Sequence, residues 1–129
     1  MTKSRSDADA EGAFRARIIE DRRPWGRFRV YPHAEAGSLK IITVKPGGQI
    51  SLQYHRRRAE FWIVLDPGLE ITVGDRVRRL KKGEEVFIPE GTPHRLRCAG
   101  KRPARVMEIW IGASREDDIV RLADQYGRR

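Results

Sequence analysis

The chain has 129 residues, 39% hydrophobic and 35% charged, and its 27 Lys and Arg against 18 Asp and Glu give a formal net charge of +9. That length supports one domain with one sizeable core, and no apolar run is long enough for a membrane span. Cys98 is the only cysteine, which excludes an intrachain disulfide and a thiolate zinc site. No apolar h-region of a secretory signal follows the N-terminal basic residues, so a cytoplasmic protein with no membrane partner is expected. The arginines are scattered, without a recognition-helix pattern or an RNA-binding signature, so no nucleic-acid partner is expected. A solvated basic surface comes first, and attraction of small anionic substrates second.

Taken in order, residues 1–12 are polar, small and charged and read as a disordered tail. A single domain is expected over 13–129. Ala13 to Ile19 reads as an edge strand seeking a partner, which suggests a homodimer. Arg23-Pro-Trp-Gly26 is a turn, and Pro32 to Gly37 a loop. Leu39 to Lys45 is a β-branched strand stopped by Pro46-Gly47-Gly48. From Ile50 to His55 the chain alternates, with Ser51, Gln53 and His55 on one face and Ile50, Leu52 and Tyr54 on the other. A polar face backed by an apolar one suggests that the polar face lines a cavity.

Arg56-Arg-Arg58 turns the chain into Glu60 to Leu65, apolar on both faces as in a central strand. Leu69 to Val73 and Val77 to Leu80 pair through a tight Gly74-Asp75 hairpin. Val86 to Ile88 leads into Pro89-Glu-Gly91, with His94, Leu96 and Cys98 alternating beyond it. Ala104 to Ile111 is the last long strand. After Asp117 and Asp118, the apolar residues Ile119, Val120, Leu122, Ala123 and Tyr126 recur at helical spacing, so a short C-terminal helix ending at Gly127 is expected.

Many short strands with turns between them imply an all-β sandwich or barrel. In such a fold Gln53, His55, Glu60 and His94 can converge on one divalent metal. Imidazole and carboxylate donors suit zinc, the preferred ion, and also manganese, nickel, cobalt or iron. Each member also has a plain alternative: a histidine after Pro-Gly is commonly a turn residue, and Glu60 can pair with Arg57 or Arg58. Glu108 shares a face with Val106 and Trp110 and is the preferred proton-transfer group, a buried ion pair being the alternative. Trp25 and Trp62 read as core residues and His33 as a loop histidine.

Gly47-x5-Gln53-x-His55-x4-Glu60 resembles the first cupin motif, with Gln in place of its first His, and Gly83-x5-Pro89-x-Gly91-x2-His94 resembles the second. Together with Arg23-Pro-Trp-Gly26, Ile42-Thr-Val-Lys-Pro-Gly47, Arg58-Ala-Glu60 with Trp62, His94-Arg-Leu96 and Glu116-Asp-Asp-Ile-Val-Arg121, they resemble type II phosphomannose isomerases from about Arg22 to Arg128. That domain is usually the C-terminal half of bifunctional mannose-1-phosphate guanylyltransferase/mannose-6-phosphate isomerase.

The resemblance implies a cupin, a double-stranded β-helix or jelly-roll barrel. It implies metal-dependent interconversion of mannose 6-phosphate and fructose 6-phosphate for GDP-mannose and polysaccharide synthesis. Gln53, His55, Glu60 and His94 would hold the metal, Lys40 would act on or bind substrate, and Arg58 would bind its phosphate. The chain departs from the family at Arg56-Arg57, Phe61, Cys98 and Trp110, the last swapping a polar pocket residue for an indole that would touch a ligand. Two alternatives stay open: a cupin that binds metal and a small anionic ligand without turnover, and a metal-dependent dioxygenase. No glycine-rich loop for a nucleoside triphosphate is present, so these residues are not expected to carry guanylyltransferase activity.

Overall fold

The computed structural model describes residues 5–34, 36–112 and 117–124. Among the described residues one helix, α1 (Arg5–Ala16), is followed by eleven strands: β1 (Ile19–Arg23), β2 (Gly26–Val30), β3 (Ala36–Val44), β4 (Leu52–Tyr54), β5 (Ala59–Val64), β6 (Leu69–Val73), β7 (Arg76–Arg79), β8 (Glu85–Ile88), β9 (His94–Cys98), β10 (Ala104–Ile111) and β11 (Val120–Ala123). The strands form a β1-β2 hairpin, a four-stranded sheet in the order β3-β10-β5-β8, and a five-stranded sheet in the order β11-β4-β9-β6-β7. Every pairing is antiparallel. Among the described residues no ladder joins the two larger sheets.

Side chains from both larger sheets form the main core. Val44, Trp62, Val64, Val86, Ile88 and Val106 of one meet Leu69, Ile71, Leu96 and Cys98 of the other. Period-2 alternation then decides what lies on the far face of β5. Phe61 and Ile63 point away from the main core into a second cluster with Phe14, Phe87 and Ile109. Phe14, on α1, stacks 4.7 Å from Phe61 between ring centroids. Both faces of β5 are therefore covered, which explains its unbroken apolar run. At the β6-β7 turn, Gly74 adopts φ +61° and supplies the positive dihedral a tight hairpin needs.

Three expectations change at the ends of the chain. Residues 5–12, read as a disordered tail, are helical, and Ala13 to Ala16 continue that helix instead of starting an edge strand. Alanines and Glu11 favour a helix, Asp7 and Arg15 suit its two ends, and Phe14 gives it a docking point. The expected C-terminal helix is instead β11, paired to β4 through Val120↔Tyr54 and Arg121↔Gln53. Leu122 is exposed, so the helical spacing of apolar residues had no helix face to bury. Tyr126 and Gly127 lie outside the described residues. Trp25, expected in the core, is 74% exposed at the tip of the β1-β2 hairpin, a ribbon that pairs with neither sheet.

Candidate metal centre

Three short elements bring the chemistry together. His55 ends the β4 arm, Glu60 lies on β5 just past the arginine turn, and His94 opens β9. All three are buried, and their inward ligand atoms lie within 4.8 Å of one another. Glu60 Oε2 is 3.0 Å from His55 Nε2, and Glu60 Oε1 is 3.4 Å from His94 Nε2. The two imidazole centroids are 5.1 Å apart. A backbone bond links the arms, with the Gly91 N–H donating to the His55 carbonyl at 2.8 Å.

Each imidazole is held from behind. His55 Nδ1 lies 2.6 Å from the Asp118 carbonyl oxygen, and His94 Nδ1 lies 3.0 Å from the Thr92 carbonyl oxygen. A carbonyl only accepts, so Nδ1 carries a proton in both rings, and each ring in its neutral form presents the Nε2 lone pair inward. Arg58 agrees with this assignment, since its Nη2 stands 3.2 Å from His55 Nε2 as a donor. His94 Nε2 is buried and makes no hydrogen bond. Two imidazoles and a carboxylate converging in a buried space call for a cation; the Arg58 guanidinium meets Glu60 Oε2 and His55 Nε2, while His94 Nε2 has no hydrogen-bond partner among the described residues. A ring nitrogen steadied by a carbonyl on its far side is the arrangement seen in metal-binding histidines. The residues therefore fit a divalent ion.

Gln53 lies in register with His94 on the neighbouring strand, which puts the two side chains on one face. Its Oε1 accepts a hydrogen bond from the buried Ser51 hydroxyl at 2.6 Å. The structure thus brings His55, Glu60 and His94 together, with Gln53 as a register neighbour.

The wall is more crowded than expected. Register places Trp110 beside Glu60, and Glu108 between Lys40 and Trp62. Arg58, for which the resemblance implied a phosphate and a pairing with Glu60 was the alternative, is buried and makes that pairing. Its Nε donates to Glu60 Oε2 at 3.0 Å, and its guanidinium carbon sits 3.4 Å from the Trp110 ring centroid. The Trp110 indole N–H donates to Glu108 Oε1 at 2.6 Å, and Lys40 Nζ is 3.6 Å from the same oxygen. Burial, helped by the nearby Glu60 charge, pushes the Glu108 carboxyl up against the opposing pull of Lys40, Trp110 and Arg58. For Glu60, burial pushes the same way, but the two imidazoles that face its carboxylate outweigh it and hold the carboxyl well below the usual range. Two glutamates on one wall are thus driven apart in proton affinity.

Asp118 is the functional residue that sequence reasoning misplaced. It was expected to start a helix, yet it holds the His55 arm. The adjacent acidic pair was a visible signal, but nothing local pointed to a partner 63 positions away.

A family model described as mannose-6-phosphate isomerase C-terminal matches residues 13–124. Xanthan biosynthesis protein XanB of Xanthomonas campestris pv. campestris (strain B100) is 45% identical over 107 residues, which are 82% of this chain and 23% of that protein. A mannose-1-phosphate guanylyltransferase of Klebsiella pneumoniae is 43% identical over 107 residues, with the same two coverages. The chain thus spans about a quarter of the length of these curated relatives. A solved, uncharacterized conserved protein with a double-stranded β-helix domain, from Klebsiella pneumoniae subsp. pneumoniae, shares the fold. It superposes with a TM-score of 0.59 at 17% identity, covering 74% of this chain and 90% of that one. The family match over most of the chain and the cupin-like two-sheet architecture agree, and the chain belongs to the mannose-6-phosphate isomerase C-terminal family.

Proposed function

We propose that this chain is a metal-dependent sugar-phosphate isomerase that interconverts mannose 6-phosphate and fructose 6-phosphate in the cytoplasm, supplying mannose units for polysaccharide synthesis. The observation that carries the reading is the inward Nε2 pair of His55 and His94 around Glu60, each ring tied back to a backbone carbonyl. His55, His94 and Glu60 would hold the ion, with Gln53 as a neutral fourth donor and zinc as the preferred metal. A divalent metal there supplies Lewis-acid stabilisation of negative charge on neighbouring substrate oxygens.

The remaining work falls to the chain's own groups. Isomerisation takes a proton from C2 of the aldose and returns one to C1, through an enediol. Glu108 is the candidate carrier, because a carboxyl with raised proton affinity gives and takes a proton nearer neutral pH. The Trp110 indole and Lys40 orient its Oε1. Lys40 pairs with Glu108, keeps about a third of its side-chain surface exposed and would be the residue to reach a substrate phosphate. Arg58, already engaged with Glu60 and Trp110, would orient the glutamate ligand.

A second reading has its own observation. The Arg58–Trp110 stack fills wall space beside the ligands, which favours a cupin that binds metal and a small anion without turnover. A coupled assay on the zinc-loaded chain separates the two. Isomerisation of mannose 6-phosphate, lost in Glu108→Gln with zinc still bound, is the expected result. No turnover from folded, fully loaded protein would select the second reading.

A further inference from the structure

We propose that Asp118 is a positioning residue for the His55 imidazole, tying the C-terminal strand to the metal centre; this rests on the metal-centre reading above. Asp118 makes three bonds to three consecutive residues. Its carboxylate oxygens accept from the backbone N–H groups of Arg56 and Arg57, each at 2.9 Å, and its carbonyl accepts from His55 Nδ1 at 2.6 Å. The side chain clamps the arginine turn and thereby presents the carbonyl to the ring. Because that carbonyl cannot donate, the proton stays on Nδ1 and the Nε2 lone pair stays aimed at Glu60.

The adjoining ladder supports the clamp. Val120 and Arg121 pair with Tyr54 and Gln53, so β11 fixes the backbone just before His55 while Asp118 fixes the backbone just after it. His94 serves as a control within the same molecule. Its Nδ1 uses the Thr92 carbonyl, two residues away in its own turn, and owes nothing to Asp118.

Long-range proton–nitrogen NMR of the metal-free, full-length chain, above the histidine titration range, reads each ring's tautomer. In the wild type, both His55 and His94 are expected to carry the proton on Nδ1. In Asp118→Ala, His55 is expected to become a tautomer mixture while His94 is unchanged, and zinc affinity is expected to fall about 10- to 100-fold. Asp118→Asn, which keeps one side-chain acceptor for the arginine turn, is expected to fall in between. A wild-type His55 protonated on Nε2 would overturn the proposal whatever the metal result. So would a substitution that lowers thermal stability but leaves both tautomers and zinc affinity unmoved. If the tautomers respond as expected but the wild type binds no zinc, the positioning role stands and the metal-centre reading fails.

Discussion

The two histidine arms reach the same geometry by different means. His94 is fixed by its own turn, through the Thr92 carbonyl just before it. His55 is fixed from outside, by Asp118 behind it and by a close approach of Gly112 to the turn that follows it. A locally fixed ligand depends on a few residues and its turn. A remotely fixed one depends on the register of a strand at the far end of the chain, so it is the arm that distant changes reach. Glu60 bridges the two.

The largest effect is expected where the arms meet. Glu60→Ala removes the carboxylate that faces both imidazoles, pairs with Arg58 and accepts from the Trp62 indole at 3.2 Å. Breaking one side of a buried ion pair costs about 3–5 kcal/mol, and equilibrium denaturation should show a loss of that order together with loss of zinc. The same group gives a pH signature in the metal-free chain. Glu60 is held below its ordinary range, so its stabilisation is complete above the unfolded glutamate value and is lost as pH falls towards the folded one. Glu108 is raised, so its sign is opposite, and stability declines as pH rises through its folded value. Glu60→Gln should flatten the acid limb and Glu108→Gln the higher one. At Glu84 and Glu85 burial pushes the carboxyl up, but Arg78 with Lys81, and Arg29 with Tyr31 and Arg15, together outweigh it, so both also contribute to the acid limb, which should persist in part.

Two glycines separate the arms. Gly112 has φ +120°, and a Cβ there would come within 2.8 Å of the Arg57 carbonyl oxygen. Gly112→Ala therefore combines backbone strain of about 1–2 kcal/mol with displacement of the arginine turn. It should perturb His55 more than His94 in ring NMR spectra. Gly91, at φ +74° in the turn before Thr92, has open space where a Cβ would go. Gly91→Ala carries only the dihedral cost, about 1 kcal/mol, and should affect His94 first and His55 second, through the Gly91 N–H bond to the His55 carbonyl. Equal perturbation of both rings by both variants would break the distinction between the arms.

The same division explains what the sequence made legible. β10, β6 and β9 were readable because alternation and β-branched runs are local signals, and alternation alone put Glu108 and Trp110 on one face. The His94 turn was readable for the same reason. The helix over Arg5–Ala16 was not, since its attachment rests on Phe14, one aromatic in a polar stretch. β11 was misread because Ile119, Val120 and Leu122 also fit a helical period, and only the pairing with Tyr54 and Gln53 decides between the two. For Arg58 the resemblance implied a phosphate ligand, and the pairing with Glu60 that stood as the alternative is what the structure shows. The burial of Arg58 depends on Trp110, which register brings beside Glu60 from the far end of the fold.

The smallest effect is expected at Gln53. Its amide oxygen is neutral and already accepts from the Ser51 hydroxyl, so as a donor it competes poorly with imidazole or carboxylate. Gln53→Ala should lower zinc affinity only a few-fold, well short of the loss from His55→Ala. It also leaves the buried Ser51 hydroxyl without that acceptor, at a cost of about 1–3 kcal/mol. Ser51→Ala removes the hydroxyl itself, so the double variant should be little less stable than Ser51→Ala alone. Isothermal titration with zinc and denaturation of the three variants test both halves. If Gln53→Ala abolished binding as fully as His55→Ala, the amide would be an equal partner in the site, and the weight placed on the two histidine arms would shift to β4, which carries Gln53 and leads into His55.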